Sequence, residues 1–150
     1  MKTQKLLHCL QLSRSENVGS STFFRLIEIF GSAQEALEQI PNFARQGGLK
    51  RPIQIFSAEK AEAEIDLSEK FGAKIISFFD LEYPELLRKI PDPAPIITFK
   101  GNFDFFQRDS LAIVGPRNAS FGAINFARKL ATDLGKNSLS VVSGLARGID

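Results

Sequence analysis

The sequence predicts an α/β protein in two parts: an all-helical segment over residues 1–72, then the opening of a parallel α/β sheet over residues 73–150. Three observations predict this. Apolar residues recur at helical spacing through the first seventy positions. Near residue 73 the pattern changes to short β-branched runs. The last forty residues then hold strand, turn, helix, strand and turn within about 35 positions, the size of a βαβ unit.

The first helix is expected over Lys2 to Leu12, with Leu6, Leu7 and Leu10 on one side. Asn17-Val18-Gly19-Ser20-Ser21 is a turn ending in hydroxyl residues suited to capping. Thr22 to Phe30 is apolar at Phe23, Leu26, Ile27 and Phe30, and Gly31 closes it as a left-handed cap. Ser32 to Glu35 fits the capping-box spacing, so a third helix starts there, and Pro41 is expected to stop it. Gln46-Gly47-Gly48 and Arg51-Pro52 read as loops, and Ala58 to Phe71 as a fourth helix ending at Gly72.

Lys74 to Phe79 then reads as a strand, and Tyr83-Pro84 starts a short helix with Pro in its first turn. A stiff linker, Pro91 to Pro95, leads to the strand-like Ile96 to Phe99. Leu111 to Val114 and Leu139 to Val142 read as buried strands. They flank a helix over Ser120 to Leu134, with Gly135 as its stop. A right-handed crossover between parallel strands puts both following turns on the same carboxyl edge.

Composition narrows the function. The 150 residues are 43% hydrophobic and 24% charged, enough apolar material for a core. Fourteen Phe against one Tyr and no Trp suit core filling better than polar recognition. One cysteine, Cys9, and one histidine, His8, exclude an internal disulfide and a cysteine-rich or multi-histidine metal centre. Both are expected to line a helix interface. No apolar run approaches the length of a membrane span and nothing reads as a signal peptide, so a cytoplasmic setting is expected.

The net charge of +2 is too mild to announce a nucleic-acid binder. Its distribution says more. Residues 1–58 carry seven basic and four acidic side chains, residues 59–99 five and nine, and residues 100–150 seven and four. The acidic excess sits in Glu59 to Glu69, a solvated helix face. Arg128 and Lys129 are solvent-facing helix charges.

Two glycine-containing turns at adjacent strand ends form a candidate anion site. The first runs Val114-Gly115-Pro116-Arg117-Asn118-Ala119-Ser120-Phe121-Gly122, the second Val142-Ser143-Gly144-Leu145-Ala146-Arg147-Gly148-Ile149-Asp150. Amides, hydroxyls and guanidinium together make a phosphate-binding set. Neither G-x-G-x-x-G nor G-x-x-x-x-G-K-[ST] is present, so neither nucleotide fingerprint is met. The same glycines also serve a tight strand-to-helix turn that binds nothing. Phe121 is read as packing, and Asp150 as the cap of a following helix. No nucleophile–base pair is evident, so no catalytic residue is assigned.

V-G-x-R-x-x-S-x-G, followed about twenty residues later by V-V-S-G-L-A-x-G-I-D, resembles the DprA/Smf family of bacterial DNA-processing proteins. Val18-Gly19, Phe30-Gly31-Ser32-Ala33, Tyr83-Pro84-Glu85-Leu86-Leu87 and Phe99-Lys100-Gly101 agree with it in order. The resemblance implies a helical-hairpin, SAM-like domain over 1–72 and the first part of a Rossmann-like domain over 73–150. It implies binding and protection of single-stranded DNA taken up in natural transformation, with no sequence preference. It also implies help in loading the RecA recombinase, homodimerisation through the rest of the Rossmann-like domain, and no metal or other cofactor. By motif, the DNA-binding residues are Gly115, Arg117, Ser120 and Gly122 in the first turn and Ser143, Gly144, Arg147 and Gly148 in the second. Arg117 pairs with a phosphate, the serines donate hydrogen bonds, and the glycines open the backbone to the strand. Pro116 departs from the small or hydroxyl residue expected there and removes one N–H donor. The helical hairpin at Val18-Gly19 is open to two roles, DNA phosphate contact or docking.

The family continues beyond Asp150, so the chain is expected to be a fragment carrying only the first βαβ unit. Residues 1–72 are expected to fold, and the C-terminal half to be marginally stable alone. Two other readings stand beside this one: a nucleotide-processing enzyme with similar turns, and an inactive remnant of a split or truncated gene.

Overall fold

A computed structural model describes residues 4–45 and 53–150. The loops expected at Gln46-Gly47-Gly48 and Arg51-Pro52 lie outside the described residues. Two compact units divide between Gly101 and Asn102.

The first unit is built on helices α1 (Gln4–Arg14), α2 (Ser20–Phe30), α3 (Ala33–Arg45) and α4 (Ala58–Lys70). Their apolar stripes meet in a core containing Leu10, Leu12, Phe23, Ala36, Ile40 and Ala61, all essentially buried. Gly31 ends α2 at φ +86° with its N–H on the Ile27 carbonyl, 2.7 Å away, as expected of a left-handed cap. Ser32 and Glu35 form the capping pair: the Glu35 N–H donates to Ser32 Oγ at 3.2 Å, and that hydroxyl donates to Glu35 Oε2 at 2.9 Å. At the start of α2 the hydroxyl residues do not cap; Gly19 holds the N-cap position without a side-chain bond.

Pro41 does not stop α3, which continues to Arg45. The missing N–H removes one helical bond, and the Phe43 ring, edge-on to Phe30 at 5.4 Å, anchors the turn beyond it. Between α1 and α4 Arg14 and Glu64 pair at 2.8 Å. Buried Ser15 accepts the Phe56 N–H at 3.0 Å and donates to the Gln11 carbonyl at 2.8 Å, tying the approach to α4 onto the end of α1.

The strands β1 (Ala73–Ser77) and β2 (Ile96–Lys100) pair antiparallel with each other, from Ala73 opposite Lys100 to Ser77 opposite Ile96. Ile75 and Ile76 of β1 are buried, and β1 packs on α1 and α4. A boundary at 72/73 is therefore not where the compact units divide, because this hairpin buries its apolar face against the helices. Between the strands, Tyr83 is buried with its hydroxyl donating to the Ala94 carbonyl at 2.8 Å. Arg88, in the short helix α5 (Glu85–Arg88), covers the Phe78 and Tyr83 rings and donates to the carbonyls of Phe78 and Asp80. These contacts give Tyr83-Pro84 a structural role.

Cys9 is buried on α1, and His8 beside it is half-buried. Burial pushes the Cys9 thiol from 9.0 up to about 11, Lys5 opposes the shift and Asp80 adds to it. The folded chain thus keeps a proton that the unfolded thiol releases. This stability is fully present below pH 9 and is lost as pH rises to about 11, a loss of about 2–3 kcal/mol. Urea unfolding at pH 8 and pH 11 should show wild type losing that much more than Cys9→Ala. Equal losses would contradict this account of the buried thiol.

The second unit contains a 3-10 turn (Phe103–Gln107), strand β3 (Ser110–Ala112), helix α6 (Phe121–Lys136) and strand β4 (Ser140–Val142). β3 and β4 pair parallel across the crossover helix, the expected βαβ arrangement. Two expectations are corrected. Gly135 does not end α6; the turn falls at Ser138, φ +63°, after Asn137 takes up the last carbonyls with its backbone and side-chain nitrogens. Nor are the strand runs buried: Leu111, Val114, Val141 and Val142 are exposed. The sheet has two strands and α6 packs on β4, which leaves most of its apolar surface uncovered; Ala127 is the one buried hydrophobic residue among those described in this unit. No helix among the described residues is long and apolar enough to cross a membrane.

Candidate nucleic-acid interface

The parallel register sets the site. Ser110, Leu111 and Ala112 lie opposite Ser140, Val141 and Val142, each pair thirty residues apart. Arg117 and Arg147 each follow their strand on the loop leaving it, but the loop contacts do not keep the strand offset, for Asp150 meets Gly115. Neighbouring parallel strands sit about 4.8 Å apart, so the two loops leave the carboxyl edge side by side, each carrying an arginine. Both arginines are exposed. Arg147 Nη2 donates to Asn118 Oδ1 of the first loop at 3.1 Å. Arg117 has no hydrogen bond or ion pair among the described residues and is free to meet an anion.

At three of the glycines the backbone is closely approached by other protein atoms. A Cβ on Gly115 would lie 2.7 Å from Ile149, and one on Gly144 would lie 2.9 Å from Asp150 Oδ2. At Gly148, φ is +106°, and a Cβ would fall within contact distance of the Pro116 carbonyl and 2.7 Å from that of Arg117. The space above these three residues is filled by protein atoms, mostly of the facing loop. Gly122, in the first turn of α6, faces open space.

The polar groups are also partly committed. Gly115 N–H donates to Asp150 Oδ1 at 3.1 Å, and Pro116 has no N–H, so the first loop offers no free amide at these two positions. Ser120 caps α6 by accepting the Ala123 N–H at 3.2 Å, which leaves its own O–H to donate outward. Ser143 donates to the Asp150 carbonyl at 2.8 Å and accepts the Leu145 N–H at 3.3 Å. Among side chains, two guanidinium groups and the Ser120 hydroxyl remain for a ligand. This set recognises phosphate chiefly by charge.

Asp150 is the residue that sequence reasoning missed. Its carboxylate joins the two loops through the Gly115 N–H, a contact the motif does not show. Phe121, expected to pack, is 79% exposed beside the first loop. It opens α6 ahead of the stretch that rests on β4. Arg128 and Lys129 face solvent as expected. Among the described residues no group of three or more His, Cys, Asp or Glu side chains gathers to hold a metal.

Two family models match in order: a DprA-like N-terminal HHH domain over residues 3–66, and DNA recombination-mediator protein A over residues 74–150. Their junction falls near residue 72, whereas the compact units divide after the β1–β2 hairpin. Among curated relatives, the DNA processing protein DprA of Streptococcus pneumoniae is 38% identical over 86 residues, 56% of this chain and 30% of that protein. Protein Smf of Synechocystis sp. is 36% identical over 75 residues, 47% of this chain and 19% of that protein. Protein Smf of Borreliella burgdorferi is 29% identical over 101 residues, 67% of this chain and 32% of that protein. The chain thus spans between 19% and 32% of the length of these relatives. The X-ray structure of DNA processing protein A (DprA) from S. pneumoniae superposes with a TM-score of 0.62 at 25% identity, covering 100% of this chain and 52% of that one. The helical first part and the mixed α/β arrangement that follows agree with these matches, and the chain belongs to the DprA/Smf family of DNA recombination-mediator proteins.

Proposed function

We propose that the paired loops bind the phosphate backbone of single-stranded DNA without sequence preference. The placement of Arg117 and Arg147, both exposed, on the two loops that leave one edge of the parallel pair and touch through Arg147 and Asn118 carries this reading. Two guanidinium groups, each with a fork of donors, contact phosphate oxygens and carry no base information. Ser120 adds a hydroxyl donor. The exposed Phe121 ring offers a sequence-tolerant surface on which a base can stack. Gly115, Gly144 and Gly148 support the interface by admitting close neighbours, Ser143 through its hydroxyl bonds, and Gly122 by leaving open space in the first turn of α6. In the protein of which these motifs are part, we place this interface in natural transformation, where it protects incoming single strands and helps load RecA, with the protein acting as a dimer. Family membership supports that wider role.

Fluorescence anisotropy with labelled oligothymidine tests the reading. At low salt the chain should bind the oligonucleotide saturably, and a thousandfold excess of mononucleotide should not displace it. Saturable mononucleotide binding without oligonucleotide binding would instead favour a nucleotide-processing site.

A further inference from the structure

We infer that Asp150 is a positioning residue that clamps the two loops together, so that Arg117 and Arg147 present a single paired surface. The inference rests on the DNA-binding reading and deepens it. Asp150 is held from both sides: its Oδ1 accepts the Gly115 N–H at 3.1 Å, and its carbonyl accepts the Ser143 hydroxyl at 2.8 Å. Its Oδ2 sits against Gly144, where a Cβ would come within 2.9 Å. Ile149 fills the space over Gly115 in the same way. The Arg147–Asn118 bond joins the loops in the opposite sense, from second-loop donor to first-loop acceptor. Asp150 therefore closes one side of the loop pair and Arg147 the other.

A hydrogen bond to an ionised acceptor is among the stronger ones, and here it is the one that fixes the base of the first loop. Without it, Arg117 sits on a loop bound to its neighbour through Asn118 alone among side-chain bonds, and ordering that loop must be done by the ligand. The carboxylate also puts a negative charge on the same pair of loops that carries the two arginines. A simple charge effect of Asp150 would weaken DNA binding, whereas a clamp strengthens it, so the two roles predict opposite signs.

The test compares Asp150→Ala and Asp150→Asn with wild type in the 150-residue chain, using oligothymidine anisotropy and amide exchange. Asp150→Asn keeps an oxygen acceptor for Gly115 and should bind within about twofold of wild type; Asp150→Ala should bind about tenfold more weakly. In Asp150→Ala the Gly115 amide should exchange faster while Ile124 to Leu134 of α6 keep their protection. Binding by Asp150→Ala equal to or tighter than wild type would overturn the inference, as would Asp150→Asn failing with it. Loss of α6 protection alongside Gly115 would also overturn it, since Asp150 would then hold the whole unit rather than the loops. If wild type does not bind oligothymidine at low salt, the DNA reading fails by itself. The Gly115 exchange comparison still decides whether the clamp exists.

Discussion

Gly148→Ala is expected to separate the two loops and abolish measurable oligothymidine binding by the second unit. The backbone at Gly148 lies at φ +106°, a region that a side chain makes costly by about 1–3 kcal/mol. The added methyl also has no room: the Pro116 and Arg117 carbonyl oxygens and the Arg117 Cα all fall within its contact radius. These are backbone atoms and cannot swing aside as a side-chain tip would, so the loops must move apart. We expect a total on the order of 4 kcal/mol. Amide exchange at Ile113, Gly115 and Leu145, whose N–H groups are hydrogen-bonded at the loop pair, should rise sharply. Gly122→Ala is the control, because that methyl meets open space in the first turn of α6 and should be neutral or slightly stabilising. Unchanged exchange in Gly148→Ala would show that the close loop contact is not held in solution.

Phe23→Ala should be the most damaging substitution in the first unit. Phe23 is fully buried, with the Phe24 ring edge-on at 5.3 Å and Phe79 at 6.4 Å. Truncation removes a large apolar side chain from the junction of the core and leaves a cavity, at a cost of about 3–5 kcal/mol. A small domain has about 5–15 kcal/mol in total. The urea midpoint, followed by helical circular dichroism, should therefore fall steeply with the slope of the transition preserved. Leu81→Ala, at a side chain that is wholly exposed, should leave the midpoint unchanged. A midpoint shift of similar size in both variants would argue against the assigned core.

The local signals most readable in the sequence were those with a mechanism confined to a few residues. The Gly31 cap, the Ser32–Glu35 pair and the apolar stripe of α2 follow from helix geometry, and each stands where expected. The βαβ unit followed from two apolar runs separated by one amphipathic helix. Pro41 and Gly135 misled because each is only a local penalty. At Pro41 the Phe30–Phe43 contact offsets it, and at Gly135 the later turn at Asn137 and Ser138 offers better hydrogen bonding. The pairing of residues 73–77 with 96–100 was not legible, since strand character does not name a partner.

In the site, residue types could be read and their mutual contacts could not. The arginines stood out from the motif. The close approach of the facing loop at Gly115 and Gly148, and of Asp150 at Gly144, depends on packing that spacing does not encode. Asp150 was hidden for the same reason, because its partner lies thirty-five residues away.

Salt dependence of oligothymidine binding tests the central claim most directly. Each phosphate neutralised on a single strand contributes about 0.7 to the slope of log affinity against log salt. Arg117→Ala and Arg147→Ala should each lower that slope by about 0.7, and the double variant by about 1.4, with equal effects on mixed-sequence oligonucleotides. A slope and an affinity left unchanged in the double variant would contradict the assignment of the paired loops as the DNA-binding edge.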